Sequence, residues 1–429
     1  MTRVPFFRPD LSELEIQEAM DTLRSGWLTT GPKARRFEQE FAEAVGARHA
    51  VAVNSCTAAL HLAVEALGLK PRQGVLVPTL TFAATAEIVR YQGAVPILVD
   101  CDPSTLNMDL SDAGAKLARL RAGVPLAGVP RDVEPVGIIP VHVGGFMMPV
   151  SDVNEFASRH CLWVVEDAAH AFPAAWRPAS GGPWQRCGEN TADVTCFSFY
   201  ANKTMTTGEG GMAVSDDAAL AARMRQMSLH GLSQDAGSRY TGSERLQWDY
   251  AIEAPGFKYN LTDMAAALGL HQLARSEQMR RTRQAIAGEF LYRLADVEEI
   301  ELPPNSEDRV HSWHLFPLKL RLDQLSIDRA EFIQQLFQLG VRCSVHWRPL
   351  HLHPYYQKTF GWRPDDLPIA SATWLRLVSL PLFSSMRREE IDHVIETVRG
   401  LCSRHRHAFA GISSHPGAMN QASAGGAHA

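Results

Sequence analysis

The chain has 429 residues, 45% hydrophobic and 21% charged, with a formal net charge of −5 and a pI near 6.4. That length and apolar content build a sizeable core, as two lobes or as one large domain with a smaller one appended. The acidic balance excludes the basic excess that would hold nucleic acid or an anionic membrane, which leaves a small molecule as the expected partner.

The first predicted element follows a capping box, Ser12 with Glu15, which opens an amphipathic helix with Leu14, Met20 and Leu23 among its apolar positions. SGWLTTGP (25–32) ends it. From His49 onward, short apolar runs alternate with helical patterns: HAVAV, then AALHLAVEAL; GVLVP, then AATAEIVRYQG; and afterwards AVPILVD, GIIPVHV, LWVVED, VTCFSF and GMAV. Strands alternating with helices of about ten residues predict an α/β fold with a mainly parallel, doubly wound sheet.

A helical pattern from Leu261 to Leu294 bridges to a second lobe of different composition. There WHLFPLKL reads as a strand, RAEFIQQLFQLG as a helix, VRCSVHW as a strand and EEIDHVIETVRGLC as a closing helix, which predicts a smaller α+β domain. The expected division is an N-terminal arm and large domain over 1–265, the bridging helix and small domain over 266–407, and a disordered tail over 408–429, where the residues are small, polar and glycine-rich. The stretch 173–189, PAAWRPASGGPWQRCGE, reads as an insertion without an assignable role.

The seven cysteines are scattered, odd in number and never spaced as CxxC, so the sequence predicts a reduced, cytoplasmic protein with no disulfide framework and no zinc site. The N-terminus lacks a signal-peptide profile, and no run of 18 apolar residues occurs.

In open α/β sheets the ligand-binding groups lie beyond the carboxyl ends of the strands. Asn54-Ser55-Cys56-Thr57 follows HAVAV and opens a helix, whose free N–H groups suit a phosphate. Asp167 ends LWVVED, Ser198 ends VTCFSF, and Lys203 follows in FSFYANKTMTTGEGG. An amine, a carboxylate and a phosphate cradle are together what pyridoxal 5′-phosphate (PLP) requires. Lys203 is predicted to form the Schiff base, Asp167 to hold the pyridinium nitrogen protonated, and Phe82 in PTLTFAAT to stack on the ring. The plainer readings are a solvated lysine, a core phenylalanine, and an Asp167 that caps a helix beginning at Ala168.

Seven blocks in order, SGWLTTGP, NSCTAALHLA, TFAATAEIV, EDAAHA, FSFYANKTMTTGEGG, GFKYNLTDMAAALGLHQL and SVHWRPLHLHPYY, resemble sugar aminotransferases of the DegT/DnrJ/EryC1/StrS family. The resemblance implies fold type I, PLP as cofactor, L-glutamate as amino donor, a nucleotide-linked keto sugar as acceptor, and a homodimer with its active sites at the interface. By resemblance Lys203 is the Schiff-base lysine, Asp167 pairs with the ring nitrogen, and His170 lies near the cofactor's 3-hydroxyl. Ser55, Cys56, Thr57 and Ser198 hold the phosphate. Lys258 and Asn260 fall in the block that reaches the partner subunit's phosphate, and Thr29, Thr30, His314 and His346 fall near the sugar. Two departures stand out: Cys56 occupies a position where many members have glycine, and Lys258 one where others have asparagine. The same scaffold also suits a keto-cyclitol acceptor or, in another class, a PLP-bound regulator without turnover.

Overall fold

The computed structural model describes residues 2–233 and 250–407, so the expected tail lies outside the described residues. Strands run in chain order as β1 (His49–Val53), β2 (Gln73–Pro78), β3 (Val95–Val99), β4 (Glu134–Ile138), β5 (Trp163–Asp167), the short β6 (Ala175–Trp176) and β7 (Gln185–Arg186), β8 (Val194–Ser198) and β9 (Gly211–Ser215). All but β6 and β7 form one sheet of order β1-β9-β8-β5-β4-β2-β3. From β3 through β2, β4 and β5 to β8 every pairing is parallel, with helices such as Cys56–Ala66, Ala84–Tyr91 and Val150–His160 on the connections. The strands are apolar on both faces because both faces are covered.

β9 is the exception, antiparallel to both β1 and β8. The connection from Ser198 to Gly211 contains no helix, so the chain returns beside β8 without a crossover. Its first residue must be glycine. A Cβ on Gly211 would lie 2.5 Å from the carbonyl carbon of Ser55 and 2.6 Å from the nitrogen of Cys56. Both neighbours are backbone, so the bare glycine is what lets β9 press against the start of helix Cys56–Ala66.

The second lobe carries β10 (Ile300–Glu301), β12 (Phe316–Leu320) and β13 (Leu377–Leu380) in one antiparallel sheet of order β10-β12-β13. Its core, which includes Phe290, Phe316, Phe332 and Val394, joins that sheet to helices Asp263–Arg293, Arg329–Gln338 and Arg388–His405. The 173–189 stretch has a structural use: β6 and β7 pair with each other, and β6 with β11 (Arg309–Val310), which ties the stretch to the chain leading into β12.

Two readings of the sequence need correction. VRCSVHW is not a strand: Val341 makes an isolated bridge to Val4 and Ser344 one to Ser379, and the segment then turns into the site described below. β13 fills that place in the sheet, unannounced because LVSL directly follows helix Pro368–Arg376 with no turn residue between them. In the first helix, Glu13–Ser25, the capping box forms, but Leu14, Met20 and Leu23 face outward while Glu15 and Thr22 are buried. The reason is specific pairing. The Glu15 carboxylate accepts hydrogen bonds from Gln272 Nε2 and Arg275 Nη2, both at 2.7 Å, so a polar face docks on the long helix. Among the described residues no helix is long and apolar enough to cross a membrane.

Candidate active site

The carboxyl ends of β5 and β8, the start of helix Cys56–Ala66 and two segments of the second lobe enclose a cavity of about 470 Å³. Ser55, Cys56, Thr57, Phe82, Asp167, His170, Ser198, Lys203, His314 and His346 all line it. A wider, shallower groove of about 730 Å³ lies beside helix Val150–His160. Its carboxylates are already engaged: Asp193 accepts from Val164 N–H, Asp216 from Arg48 N–H and Asp217 caps a helix.

Lys203 stands on the turn after β8, its N–H donating to the Tyr200 carbonyl at 2.9 Å. Burial pulls its amine down to about 8, against the opposing pull of Cys56 and Asp167. The partner of Nζ is His314 Nε2, 3.5 Å away. A neutral amine is what condenses with an aldehyde. Recombination of apo-protein with PLP should therefore quicken about tenfold per pH unit below the amine's titration and level off above about pH 8. Stopped-flow absorbance checks this; a rate still climbing tenfold per unit at pH 10 would mean a solvated lysine.

Asp167 is no helix cap, because a turn and not a helix follows it. Its carboxylate accepts from Thr85 Oγ1 at 2.8 Å and from Ala169 N–H at 3.2 Å. Burial pushes the carboxyl upward against those hydrogen bonds, and a cation placed on it in the cavity would relieve that strain. Thr85 was not singled out in the sequence, although it stands within TFAATAEIV, three residues after Phe82.

At the helix start, Ser55 caps with its hydroxyl, accepting from Ala58 N–H at 3.1 Å. The first-turn amides of Cys56 and Thr57 have no intrahelical acceptor and remain for an anion. The thiol of Cys56 meets the Cys196 carbonyl at 3.7 Å, and burial pushes it well above its ordinary value. The Cys56 thiol is thus engaged in the interior, and what Cys56 has left to offer an anion is its backbone N–H.

Three histidines sit in the wall, and burial keeps all of them neutral: His170 and His314 fall well below the ordinary value and His346 falls to about 4. His170 Nδ1 accepts from Gly144 N–H at 3.3 Å, so its Nε2 carries the proton. Its ring lies 4.2 Å from that of His314 and stacks on Trp347 at 5.0 Å. Trp347, Tyr200 and Asn202 are further wall residues that the sequence reading missed.

Thr29, Thr30, Lys258 and Asn260 are not brought to this cavity by their own chain. They form a separate cluster, in which Asn260 Nδ2 donates to Thr30 Oγ1 at 2.6 Å, Lys258 Nζ to Asn260 Oδ1, and the Thr30 hydroxyl to the Leu261 carbonyl. Elsewhere His142, Glu166 and Cys187 have potential ligand atoms within 4.8 Å of one another. His142 Nδ1 accepts from Met148 N–H, so Nε2 carries the hydrogen and faces Glu166 at 3.3 Å. Glu166 is already engaged, accepting from the Thr191 and Thr195 hydroxyls, at 2.5 Å and 2.7 Å.

The cavity offers a depressed amine, a buried carboxylate, free helix-start amides with the Ser198 hydroxyl beside them, and an exposed aromatic face on Phe82. That donor set fits PLP group by group. A putative sugar aminotransferase from Streptococcus pneumoniae, solved in its pyridoxamine-phosphate and PLP forms, superposes with TM-scores of 0.82 and 0.81 at 30% identity, over 94% of this chain and 99% of that one. DesV of S. venezuelae superposes with a TM-score of 0.79 at 30% identity, over 94% and 100% of the two chains. In sequence, the spore coat polysaccharide biosynthesis protein SpsC of Bacillus subtilis (strain 168) is 42% identical over 399 residues, covering 93% of this chain and 97% of that one.

Fold, cavity and these likenesses define a PLP-dependent sugar aminotransferase of fold type I. The chain belongs to the DegT/DnrJ/EryC1/StrS aminotransferase family, whose family model matches residues 9–399.

Proposed function

We propose that the protein transfers the amino group of L-glutamate to the keto group of a nucleotide-linked sugar, at C4 of a hexose or pentose carried on UDP, GDP or dTDP, in amino-sugar biosynthesis. The observation that carries this reading is the convergence of the Lys203 amine and the Asp167 carboxylate in one cavity with a helix start and three neutral histidines. The cofactor, when bound, supplies the electron sink on which the transfer depends.

The chain's own residues do the rest. Asp167 holds a proton on the ring nitrogen, and Cys56 and Thr57 amides with Ser198 bind the phosphate. Phe82 fixes the ring plane. Lys203, neutral, would take the proton from the donor's α-carbon at Nζ and hold it for return, while water supplies the carbonyl oxygen of the departing 2-oxoglutarate and the amino group stays with the cofactor. The keto sugar then accepts the amine by the reverse sequence.

A homodimer supports this chemistry better than one chain. Phe82 is 61% exposed at the cavity, and the Thr29, Thr30, Lys258 and Asn260 cluster lies on the surface of its own chain, where a second copy can be met. In this reading Lys258 and Asn260 reach the partner's phosphate and the threonines reach its sugar. His314 and His346 face the substrate from the same chain.

Mixing holo-protein with L-glutamate is expected to bleach the cofactor's absorbance at the lysine linkage. The loaded enzyme should then aminate one of a set of keto-sugar nucleotides, with the position of the new amine read by NMR. Bleaching by no amino acid would overturn the aminotransferase reading in favour of a regulator, and amination of a free keto-cyclitol alone would overturn the nucleotide.

A further inference from the structure

The segment from His311 to Leu315 enters the cavity wall from the second lobe, and its backbone is strained. Trp313 has a φ of +51°, a left-handed conformation that bulky side chains avoid. Several contacts hold it there. Trp313 N–H donates to His311 Nδ1 at 2.8 Å, and the two rings lie 3.9 Å apart and 4° from parallel. Ser312 N–H and Leu315 N–H donate to the carbonyls of Gly145 and Gly144, and the Ser312 hydroxyl donates to the His170 carbonyl at 2.5 Å.

The remaining contact is unusual. The Trp313 carbonyl accepts from Arg283 Nη1 at 3.2 Å, and the same nitrogen donates to the Leu382 carbonyl at 2.8 Å. Arg283 is 3% exposed, makes no ion pair among the described residues, and leaves Nε without a partner. A guanidinium buried without a counter-ion is expensive, and an apolar side chain would fill the space with less penalty. Burial lowers it to about 10, with a small opposing pull from Asp10.

His314, the next residue after Trp313, shows what that expense achieves. Its Nδ1 is buried with no partner, and its Nε2 meets only the Lys203 amine. No hydrogen bond of its own orients the ring toward Lys203 from behind, so its place is set by the Trp313 backbone and by packing against the His170 ring 4.2 Å away. The nearby Arg283 charge also opposes protonation of His314, which keeps a lone pair for the amine.

We propose that Arg283 is a positioning residue of the active site: by holding the Trp313 carbonyl it fixes the left-handed turn that sets His314 Nε2 against Lys203. This rests on the reading of Lys203 as the reacting amine.

The test is a double-mutant cycle on the holoenzyme with Arg283→Met, His314→Asn and both together. Two quantities are read: the single-turnover rate of loading by L-glutamate, and the pH midpoint of the lysine-linked cofactor absorbance before any donor is added. Each single variant should slow loading roughly tenfold and displace the midpoint, and the double should lose no more than His314→Asn alone. Arg283→Lys, which keeps one donor for a carbonyl, should recover part of the loss and covers the case in which methionine prevents folding. Losses that add, or unchanged rate and midpoint in both Arg283 variants, overturn the proposal. If the unmutated enzyme does not load with L-glutamate, the donor assignment fails, while the midpoints still report on Arg283.

Discussion

Lys203→Ala is expected to lose the lysine-linked cofactor absorbance and to lower turnover by on the order of 10⁴-fold, the upper range for removal of a positioned proton-transfer group. Nζ is enclosed, its amine is drawn down to about 8 by burial, and its hydrogen-bond partner is a histidine that burial also keeps neutral. Among the described residues no other lysine lines the cavity, so no neighbour can take over the covalent link, and the wall histidines can supply at most a remnant of the proton transfer. The variant should still bind cofactor through Asp167 and the helix start, and a small added amine should restore part of the rate. Substantial turnover without added amine would sink the assignment.

Asp167→Asn should slow amine loading by on the order of 10³-fold, a loss comparable to removing one preorganised electrostatic group. The carboxylate already accepts from Thr85 Oγ1 and Ala169 N–H, and its remaining lone pairs face the cavity. An asparagine has one oxygen for those two donors and presents an NH₂ group to the second of them or to the ring nitrogen, so it cannot stabilise a pyridinium. Burial already pushes the native carboxyl upward, so the gain from removing the charge should offset the lost acceptor and leave the thermal midpoint of the apo-protein little changed. A variant that loads at the native rate would show that the ring nitrogen needs no counter-charge.

Much of this was written in strand order. Alternating runs foretold the parallel sheet, and the residues just past them, Ser55, Asp167, Ser198 and Lys203, meet in one cavity because parallel strands end on one side. The direction of β9 was not legible, since GMAV looks the same in either sense; the helix-free return and Gly211 explain it, and with it part of the TTGEGG run. The rest of that run is a hydrogen-bonded loop in which Thr206 Oγ1 accepts from Gly208 N–H and Thr207 donates to the Glu209 carbonyl. Periodicity failed on the first helix, because hydrophobic pattern cannot foresee that Glu15 has its partners in Gln272 and Arg275. Arg283 likewise gives no signal in the helical pattern, which cannot show that it meets the Trp313 and Leu382 carbonyls. Thr30 and Asn260 meet each other and not the cavity of their own chain, a contact between residues 230 positions apart that no local pattern reveals.

The central claim, that Lys203 is the covalent anchor of the cofactor, is tested most directly by reducing holo-protein with borohydride, digesting it and sequencing the peptides by mass spectrometry. The phosphopyridoxyl mass is expected on the peptide containing Lys203 and on no other. Finding it on another lysine such as Lys258, or finding no modified lysine in protein that holds PLP, would contradict the account.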